Sequence, residues 1–394
     1  MACTGRKSKI LAPPQQIYIG RAGQIKQQLK SDKMVYRAIG LMSGSSLDGL
    51  DIVFTEIHEN GGKWSFEVLN SACYPYSDEW KQRLQKAVSL SALDYQLLHV
   101  EYGHYLGQQV NRFIDENQLH YKVALIASHG HTTFHLPAKK MTAQLGDGAA
   151  IAAETKLPVV SDLRNLDVAL GGQGAPIVPI GEKLLWNDYG YFLNLGGIAN
   201  ISFNAENYTA FDVCPANRVL NMLATKEGKE YDANGEMAAK GTVNKELLQQ
   251  LNALDYYKQA FPKSLANDFG TDTVYPLIQK AGINSSDALR TYCEHIVQQI
   301  AAVLNDKPTT INNKLLVTGG GALNSFLTGL LKEELAKQNI EVVVPDATII
   351  NYKEAIVMAL IGVLRWREEY NVLSSVTGAE RDSVGGAFWM GQEA

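Results

Sequence analysis

Residues 39–53 read IGLMSGSSLDGLDIV: an apolar strand, a turn of small residues (Ser43, Gly44, Ser45, Ser46), and a second apolar strand that leaves after Asp48 and Asp51. A turn without bulky side chains lets backbone N–H groups converge on an anion, and the hydroxyls of Ser43, Ser45 and Ser46 add donors. A carboxylate beside such a nest does not itself hold phosphate, so Asp48 is expected to carry Mg²⁺, directly or through water, against phosphate oxygens. The same residues also suit an ordinary tight hairpin with a polar turn, and on this stretch alone both readings stand. A Walker loop and a dinucleotide fingerprint are excluded: GxxxxGK[ST] and GxGxxG are missing, and a strand rather than a helix follows.

The pattern returns at 191–203, YFLNLGGIANISF, again an apolar strand, a small turn with two glycines and a second apolar strand. Two such hairpins, each followed by strands and helices, predict a duplicated α/β domain with a cleft between the copies that hinge motion can close. A third glycine-rich strand end lies at 315–322, LLVTGGGA. The expected division is an extension over 1–34, a first domain over 35–185 and a second over 186–394, whose C-terminal segment packs back on the first.

Between the hairpins, 64–76 is rich in aromatic and β-branched residues and predicts a third strand, completing a meander. Helical spacing appears over 78–88 and 92–116, the latter placing Tyr95, Leu98, Tyr102, Leu106, Val110 and Phe113 on one core-facing stripe. A short strand over 123–128 ends in SHGHTTFH (128–135), read as a polar loop at a strand C-terminus. A helix over 147–155 and a strand over 158–163 lead to DLRNLD and the loop ALGGQGAP (169–176). A helix over 352–369 closes the fold.

The 394 residues are 46% hydrophobic and 20% charged, the balance of a globular chain with room for two cores. A net charge of −5 with no Lys/Arg-rich stripe excludes a general nucleic-acid binder. Cys3, Cys73, Cys214 and Cys293 lie far apart without metal-ligand spacing, which predicts reduced thiols and a cytoplasmic protein. No apolar run is read as reaching the roughly 18 residues of a membrane span, and residues 1–33 lack the apolar core of a secretory signal.

Ten blocks in order then carry a specific resemblance: GLMSGSSLDGLD (40–51), SHGHTTFH (128–135), PVVSDLRNLDVALGGQGAPIVP (158–179), LNLGGIANIS (193–202), FDVCPANRVLN (211–221), YDANGEMAAKG (231–241), PKS (262–264), LLVTGGGALN (315–324), EAIVMAL (354–360) and SVTGA (375–379). Together they resemble the anhydro-N-acetylmuramic acid kinases, of the sugar kinase, heat-shock ATPase and actin-like class. The resemblance implies two duplicated actin-like (ribonuclease H-like) domains, ATP and Mg²⁺, an anhydrosugar substrate and a homodimer. It implies a reaction in which water opens the 1,6-anhydro bridge while ATP phosphorylates the freed O6.

Carried over by position, Asp212 is the implied base that activates water, and Glu354 an implied catalytic carboxylate near the metal and phosphates. Gly44, Ser45, Ser46, Leu47, Asp48, Gly49, Leu50 and Asp51 are implied at the nucleotide phosphates, with Asp48 on the metal. Gly196 and Gly197 form the implied second phosphate turn, and Gly319, Gly320 and Gly321 lie by the adenosine. Thr132, His131 and Arg164 are implied at the sugar. Asp212 also reads as a helix N-cap or turn residue, and Glu354 as a favourable charge at a helix N-terminus; the pair Ser128/His129 lacks a third partner for hydrolase chemistry.

Three departures stand out. FDVCPAN replaces the family's FDxGPGN, so Cys214 and Ala216 stand where glycines are usual. SHGHT replaces SHGQT, putting His131 in place of glutamine, and DLRNLD keeps only Arg164 of the usual arginines. They leave open the same chemistry on another anhydrosugar such as levoglucosan, or a non-catalytic sugar or nucleotide sensor.

Overall fold

The computed structural model describes residues 33–44, 47–206, 208–260, 263–266, 268–305 and 310–391; the 1–32 part of the extension, Ser45 and Ser46 lie outside them. In chain order the strands are β1 Met34–Ser43, β2 Gly49–Asn60, β3 Lys63–Pro75, β4 Leu125–Ser128, β5 His131–Leu136, β6 Met141–Leu145, β7 Val159–Ser161, β8 Tyr191–Leu195, β9 Ile198–Phe203, β10 Thr209–Pro215, β11 Lys314–Thr318, β12 Glu341–Val343 and β13 Ala387–Trp389.

Two sheets follow one plan. In the first, β3-β2-β1 is an antiparallel meander to which β4 and β7 add in parallel; in the second, β10-β9-β8 is the meander and β11 and β12 add in parallel. The first sheet alone is extended, by β13 running antiparallel to β7. Register is preserved as well, since Met42 faces Asp51 across β1–β2 and Asn194 faces Asn200 at the matching place across β8–β9. The repeat read from the two hairpins is therefore a repeat of topology.

Each sheet has a helix layer of its own. The first buries Ile39, Leu41 and Phe54 against Leu98, Tyr102, Leu106 and Phe113 of the helix Ala92–Glu116. The second buries Leu193, Ile201 and Val317 against Leu289, Tyr292 and Ile296 of the helix Ser285–Asn305. Between the sheets runs Ala347–Trp366, whose Ile356, Ala359 and Leu360 share a cluster with Ala38 and Val53 of the first sheet and Phe192 and Leu316 of the second. Glycine permits the approach: a Cβ on Gly40 would lie 1.9 Å from the Ala355 carbonyl. Both lobes thus rest on one shared apolar helix.

That helix corrects two expectations. It starts five residues before the predicted 352, because Asp346 caps it by accepting from the Ile349 N–H at 3.0 Å, so Glu354 sits well inside it and not at its N-terminus. By length and composition it could also cross a membrane, contrary to the reading of the sequence; with 67% of its apolar window buried between the sheets it is a core helix. The block 128–135 is likewise no loop, for His131 begins β5, which pairs with β6. Cys73 is exposed, Cys214 and Cys293 are buried, and all three are free thiols.

Candidate active site

The meander turns of both lobes open onto one cleft of about 1090 Å³. From the first hairpin, Gly44, Asp48 and Asp51 line it. Leu47, at φ 59°, turns its side chain inward with Leu50, and Gly49 packs under β3, where a Cβ would lie 2.6 Å from the Tyr74 carbonyl. Within β2, alternation sends Leu50 into the core and Asp51 to the cleft; Leu47 and Asp48 are divided by the turn that precedes the strand. Ser43 is buried and already engaged, accepting from the Tyr76 hydroxyl at 2.8 Å and standing 3.2 Å from His131 Nδ1. Its hydroxyl is a support for the turn, not the phosphate donor that the sequence suggested.

In the second lobe Gly196, Gly197, Gly319 and Gly320 line the cleft. The Gly196 and Gly197 carbonyls accept from the N–H groups of Asn217 and Ala216, which pins the turn to the start of the helix Asn217–Thr225. Gly319 has φ 80°, and a Cβ there would meet Asn194 Oδ1 at 2.3 Å. Gly321 is buried beneath Leu195 and does not reach the cleft.

Asp212 lies on β10 at a bulge: it faces Asn200, yet Cys214 faces the very next residue, Ala199. Bulges re-aim side chains, and here the carboxylate enters the cleft. Its Oδ2 accepts from the Leu265 N–H at 2.9 Å and the Ser264 hydroxyl at 3.2 Å. The cap reading fails, because Ala216 precedes the helix Asn217–Thr225 with no side-chain cap.

Glu354 and Asp51 share the cleft wall with Asp48. Surrounding protein raises the Glu354 pKa, with Lys353 opposing the rise and the charges of Asp51 and Glu182 adding to it. Asp51 is raised too, mainly by burial, against a lowering hydrogen bond from the Cys73 thiol. Among the described residues no cluster of three or more His, Cys, Asp or Glu forms a metal cage. One or two carboxylates facing an open cleft are the donor set that suits Mg²⁺ shared with phosphate oxygens.

Of the residues expected at the sugar, none lines the cleft directly. Arg164 is buried, its Nε donating to the Gly174 carbonyl at 2.6 Å and a terminal nitrogen to Thr132 Oγ1 at 3.0 Å, while the other terminal nitrogen stands 3.2 Å from His135 Nδ1. His135 and Gln173 are the groups that reach the cleft there. His129 is a core residue, its pKa pushed down to about 4 by burial and by Arg164, so it is neutral near pH 7 and structural. Sequence reasoning passed over Lys263 and Ser264, although their block PKS was noticed, and Glu182 and Lys353, which carried no motif. These last two form a buried ion pair on the cleft wall, with the Tyr208 hydroxyl donating to the second Glu182 oxygen.

A family profile described as anhydro-N-acetylmuramic acid kinase matches residues 36–391. The chain belongs to the anhydro-N-acetylmuramic acid kinase family. It is 32% identical to the kinase of that name from Sulfurimonas denitrificans over 369 residues, covering 89% of this chain and 98% of the relative. The Hydrogenovibrio crunogenus enzyme is 34% identical (89% and 97% covered), and that of Haemophilus influenzae 32% (87% and 94%). End-to-end coverage means that both lobes, and not one borrowed domain, carry the family likeness.

Proposed function

We infer that this chain is an ATP-dependent kinase that opens the 1,6-anhydro bridge of anhydro-N-acetylmuramic acid with water and phosphorylates O6, yielding N-acetylmuramic acid 6-phosphate and ADP in cell-wall recycling. The observation that carries the reading is a single cleft holding two glycine turns, a bulge-aimed Asp212 and a separate acidic wall of Asp48, Asp51 and Glu354. Two acidic sites match two bond changes.

Asp212 takes the proton of the water that attacks the anomeric carbon. As the bridge C–O bond breaks, O6 is released as a nucleophile already held for phosphoryl transfer, so one bound geometry serves both steps. Asp48, with Asp51 beside it, would hold Mg²⁺, which when bound neutralises phosphate charge. Glu354 completes that wall, and the glycine turns admit phosphate oxygens to the backbone. His135, held by Arg164 and Thr142, reads the sugar. A cytoplasmic homodimer completes the proposal, its assembly state to be checked by light scattering.

The departures at Cys214, Ala216 and His131 bear little on substrate choice. Cys214 and Ala216 are wholly buried and His131 faces Ser43, so all three lie behind the cleft surface. A coupled ADP-release assay with Mg-ATP and anhydro-N-acetylmuramic acid, levoglucosan or no sugar tests the reading, with mass spectrometry of the product. Turnover of the first with gain of water and phosphate is expected; turnover of levoglucosan alone would overturn the substrate, and none with either sugar would overturn the activity.

A further inference from the structure

We propose that residues 263–265, braced by Tyr256, are a clasp that selects which oxygen of Asp212 acts, with Ser264 as its positioning residue. The proposal rests on Asp212 being the base. A bulge that re-aims a side chain also takes its peptide out of the regular ladder, and at Asp212 this segment supplies the replacement bonds. The Asp212 N–H donates to the Lys263 carbonyl at 3.1 Å, and the Tyr256 hydroxyl donates to the Asp212 carbonyl at 2.7 Å. Both main-chain groups of the residue are thereby held from one side.

The side chain is held by the same segment. The Leu265 N–H and the Ser264 hydroxyl converge on Oδ2, while Oδ1 has no protein donor among the described residues. The two oxygens of a free carboxylate are equivalent and exchange by rotation about its terminal torsion, which is broad and two-fold. Two donors on one oxygen remove that freedom and leave the lone pairs of Oδ1 for the attacking water. Lys263 stiffens the clasp from within, donating to the Tyr256 carbonyl at 3.1 Å and lying 4.5 Å over the Tyr256 ring. Ser264 is exposed on the cleft, so its removal leaves no hole in the core.

The test compares Ser264→Ala, Ser264→Thr and Asp212→Asn in the full chain, with kcat and KM measured for each substrate and a thermal melt for each variant. Ser264→Ala is expected to melt as the parent does, keep both KM values and lose about tenfold to a hundredfold in kcat, the scale of a misplaced reacting group. Ser264→Thr, which restores the hydroxyl, should recover most of the loss. An unchanged kcat in Ser264→Ala, a loss confined to KM, or failure of threonine to rescue would overturn the clasp. Asp212→Asn separates the two claims: if it turns over normally the base assignment falls, whereas an inactive Asp212→Asn beside a fully active Ser264→Ala removes the clasp alone.

Discussion

Replacing Lys353 by methionine should destabilise the protein far more than a surface charge would. The side chains of Lys353 and Glu182 are only 7% and 6% exposed, and the lysine Nζ lies 5.2 Å from the Phe192 ring and 5.9 Å from that of Trp186. Methionine is of similar length but leaves the buried Glu182 carboxylate held by the Tyr208 hydroxyl alone. Breaking a buried pair from one side costs about 3–5 kcal/mol. At about 1.2 °C per kcal/mol for a chain of this length, the melting temperature should fall by roughly 4–6 °C. Adding Glu182→Gln removes the stranded charge and still accepts from Tyr208, so the double variant should recover at least half of the loss. Differential scanning calorimetry of the unliganded protein near neutral pH reads both. A Lys353→Met melt at the parental temperature, or a double variant no better than the single, would refute the account.

Glu354→Gln should remove activity yet melt higher than the parent near pH 8. A carboxyl whose pKa is raised in the fold contributes its full stability below the unfolded value and loses it as pH rises through the folded one. The glutamine variant escapes that loss, and the gap should close as pH falls toward 4.5, the ordinary value for Glu; a lower melt near pH 8 would sink the argument. Gly319→Ala meets both a positive φ and the Asn194 amide, so a stability loss of about 1–3 kcal/mol with weakened ATP binding is expected, read by denaturant melts and titration calorimetry. Cys73 is exposed, but desolvation and its bond to Asp51 push its pKa up to about 12. Alkylation near pH 8 should therefore be slow and should quicken in Asp51→Asn; rapid labelling of the parent would contradict this.

Much of the architecture was legible because hairpins announce themselves locally. The alternation of 39–53 and 191–203 around small turns predicted β1–β2 and β8–β9, and their recurrence predicted the repeat of topology. Less legible was whatever tertiary contact decides. The run 128–135 looks like a polar loop until β6 arrives to pair with it, and ATII (347–350) looks strand-like until the Asp346 cap turns it into helix. Within the block 44–51, the turn and the start of β2 bury Leu47 and Leu50 and leave Asp48 and Asp51 on the cleft, a distinction that a motif match does not make. Glu182 and Lys353 are 171 positions apart, and only the packing of two helices makes them a pair.

The preserved register of the two sheets has one more meaning. Read across the three meander strands, the first sheet presents the rung Met42, Asp51, Cys73 and the second the rung Asn194, Asn200, Asp212. Each rung bears one acid, but on a different rail: the middle strand in one copy, the outer strand in the other. A strict two-fold would set like against like and produce a symmetric vessel with no direction. Shifting the acid by a single strand makes the two walls of the cleft unlike, which in the proposed reaction would let bond opening and phosphoryl transfer fall to different lobes.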